Sequence, residues 1–262
     1  MNNPISVDMG FMRPSLLPGL VQSAMTNFSK GQKHVRVFEC GNIFVSGEGG
    51  EREEKMVVSA FISGVQENNV WEQTGKSYDY YDLKGTLSAV SRLLKLKLIE
   101  HPEPENPFML KGRSVGLTVD GKACGYLGEL SPSIIRQYEL PKHCIVFELD
   151  FDRLMCALPK QVRFLNLPKF PEIYRDISIL IDKTVPSGEV IDRINQVGGP
   201  LLRKVELYDH FEGNKIKEGE KSLTYALTFQ SSDRTLIDEE VNPVFEKIVK
   251  ILSSQLGAML RE

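Results

Sequence analysis

The residues of this sequence that could do chemistry form no established catalytic motif. The four cysteines, Cys40, Cys124, Cys144 and Cys156, contain no C-x-x-C pair and lie at no zinc-ligand spacing to the four histidines. The sequence also lacks the glycine-rich loops that bind nucleotide phosphates and the G-x-S-x-G and H-E-x-x-H motifs of hydrolases. We therefore predict four reduced, mostly buried thiols and no metal centre.

Two other groups of charged residues have competing interpretations. Glu72, Asp79 and Asp82 could hold a metal ion, but they precede a predicted helix, and carboxylates are favoured at a helix N-terminus. We interpret them as a solvated loop that leads into the helix. Arg13 precedes a helix start that contains two prolines and could face an anion, although its local sequence favours an ordinary surface cation.

The composition is that of an ordinary globular protein. Of 262 residues, 41% are hydrophobic and 26% are charged, and the formal net charge is −3. A polybasic nucleic-acid binder is excluded, whereas a protein that binds RNA through a local patch is not. No apolar run approaches the roughly 20 residues that span a bilayer, and the first residues do not resemble a signal peptide. We predict a soluble, cytoplasmic protein without a membrane partner.

The hydrophobic pattern up to about residue 160 predicts mixed α and β structure. Helices are expected over 14–28, from the Tyr78–Gly85 segment to about Leu98, and over 131–138; strands are expected over 33–45, 56–65, 114–119, 122–129 and 144–149. We also expect an irregularity near Gly41, a hairpin turn at Asp120-Gly121, and an irregular loop around Pro102, Pro104 and Pro107.

The last hundred residues follow a different pattern. Strands are predicted over 175–182, 204–210, 222–230 and 258–261, and helices over 186–197 and from Asp238, as N-cap, to about Leu256. This order is βαββαβ, the ferredoxin-like arrangement. With the boundary near Leu158-Pro159-Lys160, the predicted domains are residues 1–160 and 161–262.

Short segments along the whole chain carry a family resemblance. In the first domain they are Asn3–Ser6, Met12–Leu20, Val37–Phe44, Tyr81–Gly85 and Gly125–Pro132; in the second they are Phe170-Pro171, Arg175–Ile177, Gly213, Lys221–Leu223, Arg234–Leu236 and Asp238–Glu240. In this order they resemble the catalytic-like module and the ferredoxin-fold anticodon-binding domain of the bacterial phenylalanyl-tRNA synthetase beta subunit family. The resemblance implies that the chain is the C-terminal third of a longer beta chain.

The resemblance implies an α+β fold: a class II synthetase-like antiparallel sheet domain that has lost its chemistry, then a ferredoxin-like domain. A working class II site needs a motif 2 Arg for the adenylate phosphate and a Gly-rich motif 3 that ends in an Arg. The corresponding segments here are Phe38–Val45, without an Arg, and Phe147–Arg153, without a Gly. Glu148, Asp150 and Asp152 would also repel a triphosphate. We predict no catalytic residue and no cofactor in this chain; ATP and Mg²⁺ are implied only for the whole enzyme.

The second domain is predicted to bind tRNA beside its open sheet face. Alternation along the strands places Asp176, Ser178, Glu206, Tyr208, His210, Thr224 and Thr228 on that face. One Tyr and one His make a poor stacking platform, so phosphate contacts from loops and strand ends are favoured. The candidate tRNA-binding residues are Arg175, Tyr208, His210, Lys215, Lys217, Lys221 and Arg234. For each single lysine, a solvated loop charge is the simpler interpretation.

The predicted function is therefore that of a C-terminal fragment of the beta subunit of phenylalanine–tRNA ligase. Its first domain would be a scaffold that contacts the alpha subunit, where the active site lies. Its second domain would bind the anticodon region of tRNA(Phe) and so support ATP-dependent aminoacylation by a heterotetramer. Two alternatives remain open: a stand-alone RNA- or protein-binding module, and an independent enzyme that binds a small molecule on the first domain.

Overall fold

The computed structural model of the protein describes residues 11–47, 50–66, 75–102, 106–161, 169–213 and 216–261. The chain divides into two compact units, residues 1–162 and 163–262. Each unit combines helices with one antiparallel sheet, which confirms the predicted α+β class. Within the described ranges, no helix is both long and apolar enough to cross a membrane.

The first unit is a six-stranded antiparallel sheet with helices on both faces. Its strands are β1 (His34–Ser46), β2 (Arg52–Gly64), β3 (Leu98–Pro102), β4 (Met109–Val119), β5 (Lys122–Leu130) and β6 (Cys144–Asp150), and its helices are α1 (Leu17–Ser29), α2 (Tyr80–Leu94), α3 (Pro132–Gln137) and α4 (Phe151–Cys156). The strand order is β1-β2-β6-β5-β4-β3. One core lies between the sheet and α1 and α3, and another between the sheet and α2 and α4.

Local capping explains why α2 begins where the sequence predicts. The Asp79 carboxylate accepts a hydrogen bond from the backbone N–H of Tyr81 at 2.9 Å, and the Asp82 carboxylate accepts one from the N–H of Asp79 at 2.8 Å. This reciprocal arrangement satisfies donors that a helix N-terminus otherwise leaves free. Two of the three acidic residues therefore belong to a helix start, while Glu72 lies outside the described residues.

The expectations for the end of α2 and for β1 are wrong. Helix α2 ends at Leu94, because Lys95 adopts a left-handed conformation (φ 57°), and a strand missed by the sequence analysis follows it. β1 pairs with β2 without a break, so Gly41 marks no irregularity. A Cβ at Gly41 would instead lie 2.6 Å from a guanidinium nitrogen of Arg13, so a larger residue would require that side chain to move.

The Asp120-Gly121 turn joins β4 and β5 as predicted. Both residues have positive φ, 48° and 73°, which is the requirement of a type I′ hairpin turn. The turn therefore fixes the register of β4 against β5 at this end of the hairpin.

The second unit has the predicted ferredoxin-like order. Its elements are β7 (Ile173–Asp182), α5 (Ser187–Gly198), a 3₁₀ turn (Gly199–Leu201), β8 (Leu202–Phe211), β9 (Glu220–Phe229), α6 (Asp238–Leu256) and β10 (Met259–Leu260). The sheet order is β10-β7-β9-β8. α5 and α6 cover one face, where Ile177, Tyr225, Phe229, Val190 and Ile248 are fully buried. The other face of this sheet carries the candidate site.

The predicted cap of α6 is corrected by the structure. Ile237, not Asp238, occupies the N-cap position, and the N–H of Ile237 donates to the Glu240 carboxylate at 3.2 Å. Asp238 is the first helical residue, and its carboxylate is bound by Arg175. The acidic first turn of α6 thus holds cations of its own unit.

Candidate functional site

Arg13 in the first unit is held by its own neighbours. Its guanidinium donates to the Glu39 carboxylate at 2.6 Å and to the backbone carbonyl of Asn42 at 2.9 Å. Its own carbonyl accepts a hydrogen bond from the N–H of Phe44 at 2.9 Å. The arginine therefore fastens the segment before α1 to the edge strand β1, and its charge is already neutralised.

Glu148 in β6 is the anchor of α1. Its carboxylate accepts hydrogen bonds from the N–H of Leu16 at 2.8 Å and from the hydroxyl of Ser15 at 3.0 Å, and it lies 3.5 Å from the hydroxyl of Tyr126. Only 8% of Glu148 is exposed. Burial raises the pKa of its carboxyl, and the hydrogen bonds from Leu16 and Ser15 oppose that shift only in part. These contacts also explain why α1 starts at Leu17 rather than at residue 14.

Arg153, which lies just after β6, is also bonded to groups of its own unit. Its guanidinium lies 3.1 Å from the Asp150 carboxylate and donates to the carbonyl of Ala123. Asp150 also accepts from the N–H of Arg153 at 2.9 Å and so caps α4. The cation and the carboxylate at the motif 3 position therefore bond to each other.

The cysteines match their prediction only in part. Cys124 and Cys144 are buried, whereas Cys40 and Cys156 are exposed; all four are unpaired. Burial raises the pKa of the Cys124 and Cys144 thiols to about 11. Within the described ranges, no group of three or more His, Cys, Asp or Glu side chains is placed to hold a metal ion.

The open face of the second sheet has a floor of small side chains. The central strand β9 contributes Ser222, Thr224, Ala226 and Thr228, which alternate with the buried core residues of the same strand. Longer side chains of the flanking strands β7 and β8 rise on both sides. This face is therefore a shallow trough whose floor offers hydroxyl groups.

A bulge in β8 changes which residues reach the trough. The register shifts between Leu207 and Asp209, so that Asp209 lies opposite Thr224 while His210 lies opposite the core residue Leu223. The alternation prediction is therefore wrong for His210, which faces the helix-covered side and contacts Glu212 at 3.1 Å. Strict alternation missed Asp209 and also Phe211, which lies opposite the open-face Ser222 and is 39% exposed.

Tyr208 lies across the trough. Partial desolvation and the neighbouring Asp176 carboxylate raise the pKa of the Tyr208 hydroxyl. Asp176 is on β7, two strands away from β8 and so about 10 Å distant. The phenol must therefore extend over β9, and with 60% of the residue exposed it presents a ring to solvent.

Beside Tyr208 the face forms a polar cavity of about 590 Å³. It is lined by Ser178, Tyr208, Asp209, Thr224 and Arg261. The Ser178 and Thr224 hydroxyls are 3.0 Å apart, and the Arg261 guanidinium donates to Ser222 at 3.1 Å. Sequence reasoning missed Arg261 because the short strand β10 supplies no alternation pattern, yet its pairing with β7 brings this cation to the cavity.

The predicted phosphate contacts are only partly available. Arg175 is bound to Asp238 and Arg234 to Glu240, both carboxylates in the first turn of α6. Both arginines therefore bind the start of the helix, while 58% of the Arg234 side chain stays exposed. Their structural role has no signature in the local sequence, because each partner lies in a different element.

The three candidate lysines follow a different pattern. Lys221 donates to the carbonyl of Lys183 at 3.1 Å, and Lys183 in turn lies 3.0 Å from Glu212. Lys217 is exposed, and Lys215 lies outside the described residues. Lys217 and Lys221 therefore lie close in sequence to the start of β9, where the preceding loop also carries acidic residues.

Comparisons with known proteins agree with this arrangement. Residues 1–151 match the family model described as the phenylalanyl tRNA synthetase beta chain CLM domain, and residues 168–261 match the ferredoxin-fold anticodon binding domain. A phenylalanine–tRNA ligase beta subunit from Moorella thermoacetica is 35% identical over 264 residues, which cover 100% of this chain and 33% of that protein. A beta subunit from Vibrio cholerae is 35% identical over 264 residues, 99% of this chain and 33% of its own. The chain spans about a third of the length of these relatives.

Proposed function

The chain belongs to the phenylalanyl-tRNA synthetase beta chain family, and from this premise we propose that it contributes two non-catalytic parts to a cytoplasmic phenylalanine–tRNA ligase. The first, residues 1–160, is a scaffold that contacts the alpha subunit. The second, residues 161–262, binds the anticodon region of tRNA(Phe), so that the acceptor end reaches an active site elsewhere. ATP and Mg²⁺ are used by the whole heterotetramer.

One observation carries this proposal: the two units use their polar groups in opposite ways. In the first, Arg13, Glu148 and Arg153 are bonded to neighbouring residues of the same unit. These residues do not fit a triphosphate, since no cation among them is free to bind it and the buried Glu148 carboxylate would repel it. In the second unit, Tyr208 and Asp209 lie on an open face beside a polar cavity.

The scaffold role is tested by amino-acid-dependent pyrophosphate exchange. A preparation of this chain free of alpha subunit is expected to show background exchange only, whereas co-expression with the alpha subunit of the same synthetase is expected to yield a complex. Exchange above background would contradict the scaffold role and favour an independent enzyme. tRNA binding without any affinity for an alpha subunit would favour a stand-alone module.

Binding of tRNA is tested by a salt titration with labelled tRNA(Phe). If phosphate contacts dominate, affinity falls steeply with salt, by about 0.7–0.9 log–log unit for each contact. Charge reversal of Lys215, Lys217 and Lys221 together is expected to flatten that slope. Reversal of three exposed lysines of the first unit, Lys30, Lys97 and Lys122, is the matched control and leaves the slope unchanged.

Stacking is separated from charge in the same titration. Tyr208→Ala is expected to lower affinity about 5- to 100-fold with little change of slope, because stacking on a base releases no counterions. Wild-type binding that is insensitive to salt, or a triple reversal that leaves the slope untouched, would place the RNA surface away from this loop.

A further inference from the structure

We propose that Tyr174 forms a second nucleobase-stacking subsite on the open face, separate from that of Tyr208, so that the trough holds two bases of one RNA single strand at once. The inference rests on the proposed tRNA-binding function and deepens it. The strand predicted from the sequence begins at residue 175 and so excludes Tyr174. β7 in fact begins at Ile173, and Tyr174 pairs with Thr228 of the trough floor.

Tyr174 is exposed and fixed in place. It is 63% exposed, and its hydroxyl donates to the Glu172 carboxylate. The Tyr208 hydroxyl lies near the Asp176 carboxylate. Each phenol thus has a carboxylate of, or just before, β7 near its tip, while much of the residue stays in solvent. A ring held in this way loses little conformational entropy when a base stacks on it.

The two rings are spaced for neighbouring parts of one strand. On β7, Tyr174 lies two residues from Asp176, which is near the Tyr208 hydroxyl. On β9, Tyr174 pairs with Thr228, which is four residues from Thr224. Thr224 pairs with Asp209, the residue that follows Tyr208. At about 3.4 Å per residue, the rings are about 7–14 Å apart. At the 3.4 Å spacing of stacked bases, this distance corresponds to about two to four nucleotides.

A cation, Lys204, lies on the same line across the sheet as Tyr174. Thr228 pairs with Tyr174 on one side and with Lys204 of β8 on the other, so the three residues form one line across the sheet. The Lys204 ammonium lies 2.7 Å from Glu206 with 59% of its side chain exposed. An exposed pair of this kind contributes little free energy, so a phosphate can replace Glu206 as its partner.

The charges of the face favour bases rather than phosphates in the trough. Asp176 and Asp209 project there among hydroxyl groups, and carboxylates repel phosphate but accept hydrogen bonds from the N–H groups of base edges. Of the cations, Lys204 lies on the edge strand β8, and Arg261 enters from the β10 side and binds Ser222, toward the end of the trough opposite Tyr174. A single strand with bases inward and phosphates outward matches this layout, as a double helix does not.

The test measures which base each tyrosine contacts. The full chain is titrated with a labelled stem-loop RNA that carries the anticodon loop of bacterial tRNA(Phe), and with versions in which each loop nucleotide in turn is abasic. Tyr174→Ala is expected to lower affinity about 5- to 100-fold for the intact RNA but less than twofold for the one abasic version that lacks its base. Tyr208→Ala is expected to couple to a different position, two to four nucleotides away.

Control variants separate stacking from general damage. Tyr174→Phe keeps the ring and is expected to stay within about twofold of wild type, and Tyr81→Ala removes a tyrosine of the first unit that is 73% exposed and is expected to change nothing. Wild-type affinity in Tyr174→Ala, or coupling of both tyrosines to one nucleotide, would overturn the second subsite while leaving the proposed function intact. Absence of wild-type RNA binding would overturn the proposed function and this inference with it.

Discussion

The two sheets of this protein differ in what their polar groups face. At the β1–β6 end of the first unit, charged side chains meet one another: Arg13 meets Glu39, Arg153 meets Asp150, and Glu148 meets the start of α1. On the open face of the second unit, Tyr174 and Tyr208 each have a carboxylate near the hydroxyl and leave most of the residue exposed.

This difference separates a supporting surface from a binding surface. An arginine that bonds to two groups of its own unit, as Arg13 and Arg153 do, must give up both before it can bind a phosphate. An aromatic ring fixed by its hydroxyl keeps its face available for stacking. The same distinction applies within the second unit, where Arg175 and Arg234 are held by α6 and act as supports.

The largest expected effect concerns whether the second unit folds and binds tRNA independently of the first. Residues 163–262 alone are expected to fold, because they contain a complete βαββαβ set with its own buried core. We expect one cooperative thermal or urea transition with a free energy of unfolding of about 5–15 kcal/mol, and tRNA affinity within about threefold of the full chain. A piece that folds but has lost RNA binding would show that the first unit contributes to the binding surface.

The next largest expected effect concerns Glu148, the anchor of α1 in the first unit. Glu148→Ala leaves the buried N–H of Leu16 without a partner and is expected to lower the free energy of unfolding of that unit by about 2–3 kcal/mol. The matched control is Glu206→Ala, which removes an exposed carboxylate of the second unit and is expected to change stability by about 0.5 kcal/mol or less. Equal effects in urea denaturation would mean that Glu148 is no anchor.

The sequence predicts the framework better than the site for a physical reason. Periodicity reports which face of an element is buried, and it correctly predicts the ferredoxin-like order and both helices that cover the second sheet. The site depends on single-residue shifts that periodicity averages out. One bulged residue turns His210 away and brings in Asp209, and a strand start two residues earlier brings in Tyr174.

Contacts between different elements of the fold are the other feature that the sequence pattern does not predict. Arg175 and Arg234 look like free cations along the chain, and only the folded unit shows that Asp238 and Glu240 occupy them. The missed strand β3 has a similar cause. Its five residues are mostly exposed, so they lack the apolar signal of a buried strand, and they are held by pairing with β4.

A smaller expected effect tests which residues of β8 face the trough. Asp209→Ala is expected to lower tRNA affinity about 5- to 20-fold, because it removes an acceptor that faces the cavity. His210→Ala, one residue away, is expected to stay within about twofold, since its side chain lies on the other face. Anisotropy titrations at one fixed salt concentration compare the two. The reverse order of effects would mean that β8 has no bulge in solution.

The smallest effect is a pH dependence of the first unit alone. Burial dominates the environment of Glu148 and raises its pKa above the unfolded value of about 4.3, so the folded state binds this proton more tightly than the unfolded state does. The contribution of Glu148 to stability is therefore greatest below pH 4 and declines as the pH rises through the window between the unfolded and the folded pKa. Glu148→Gln does not titrate, yet its amide oxygen can still accept from Leu16. The free energy of unfolding of wild type minus that of the variant, measured in urea from pH 3.5 to 8, is expected to fall with rising pH and then level off. If this difference rose with pH instead, the hydrogen bonds from Leu16 and Ser15 would outweigh burial, and Glu148 would resemble the exposed carboxylates of the second unit.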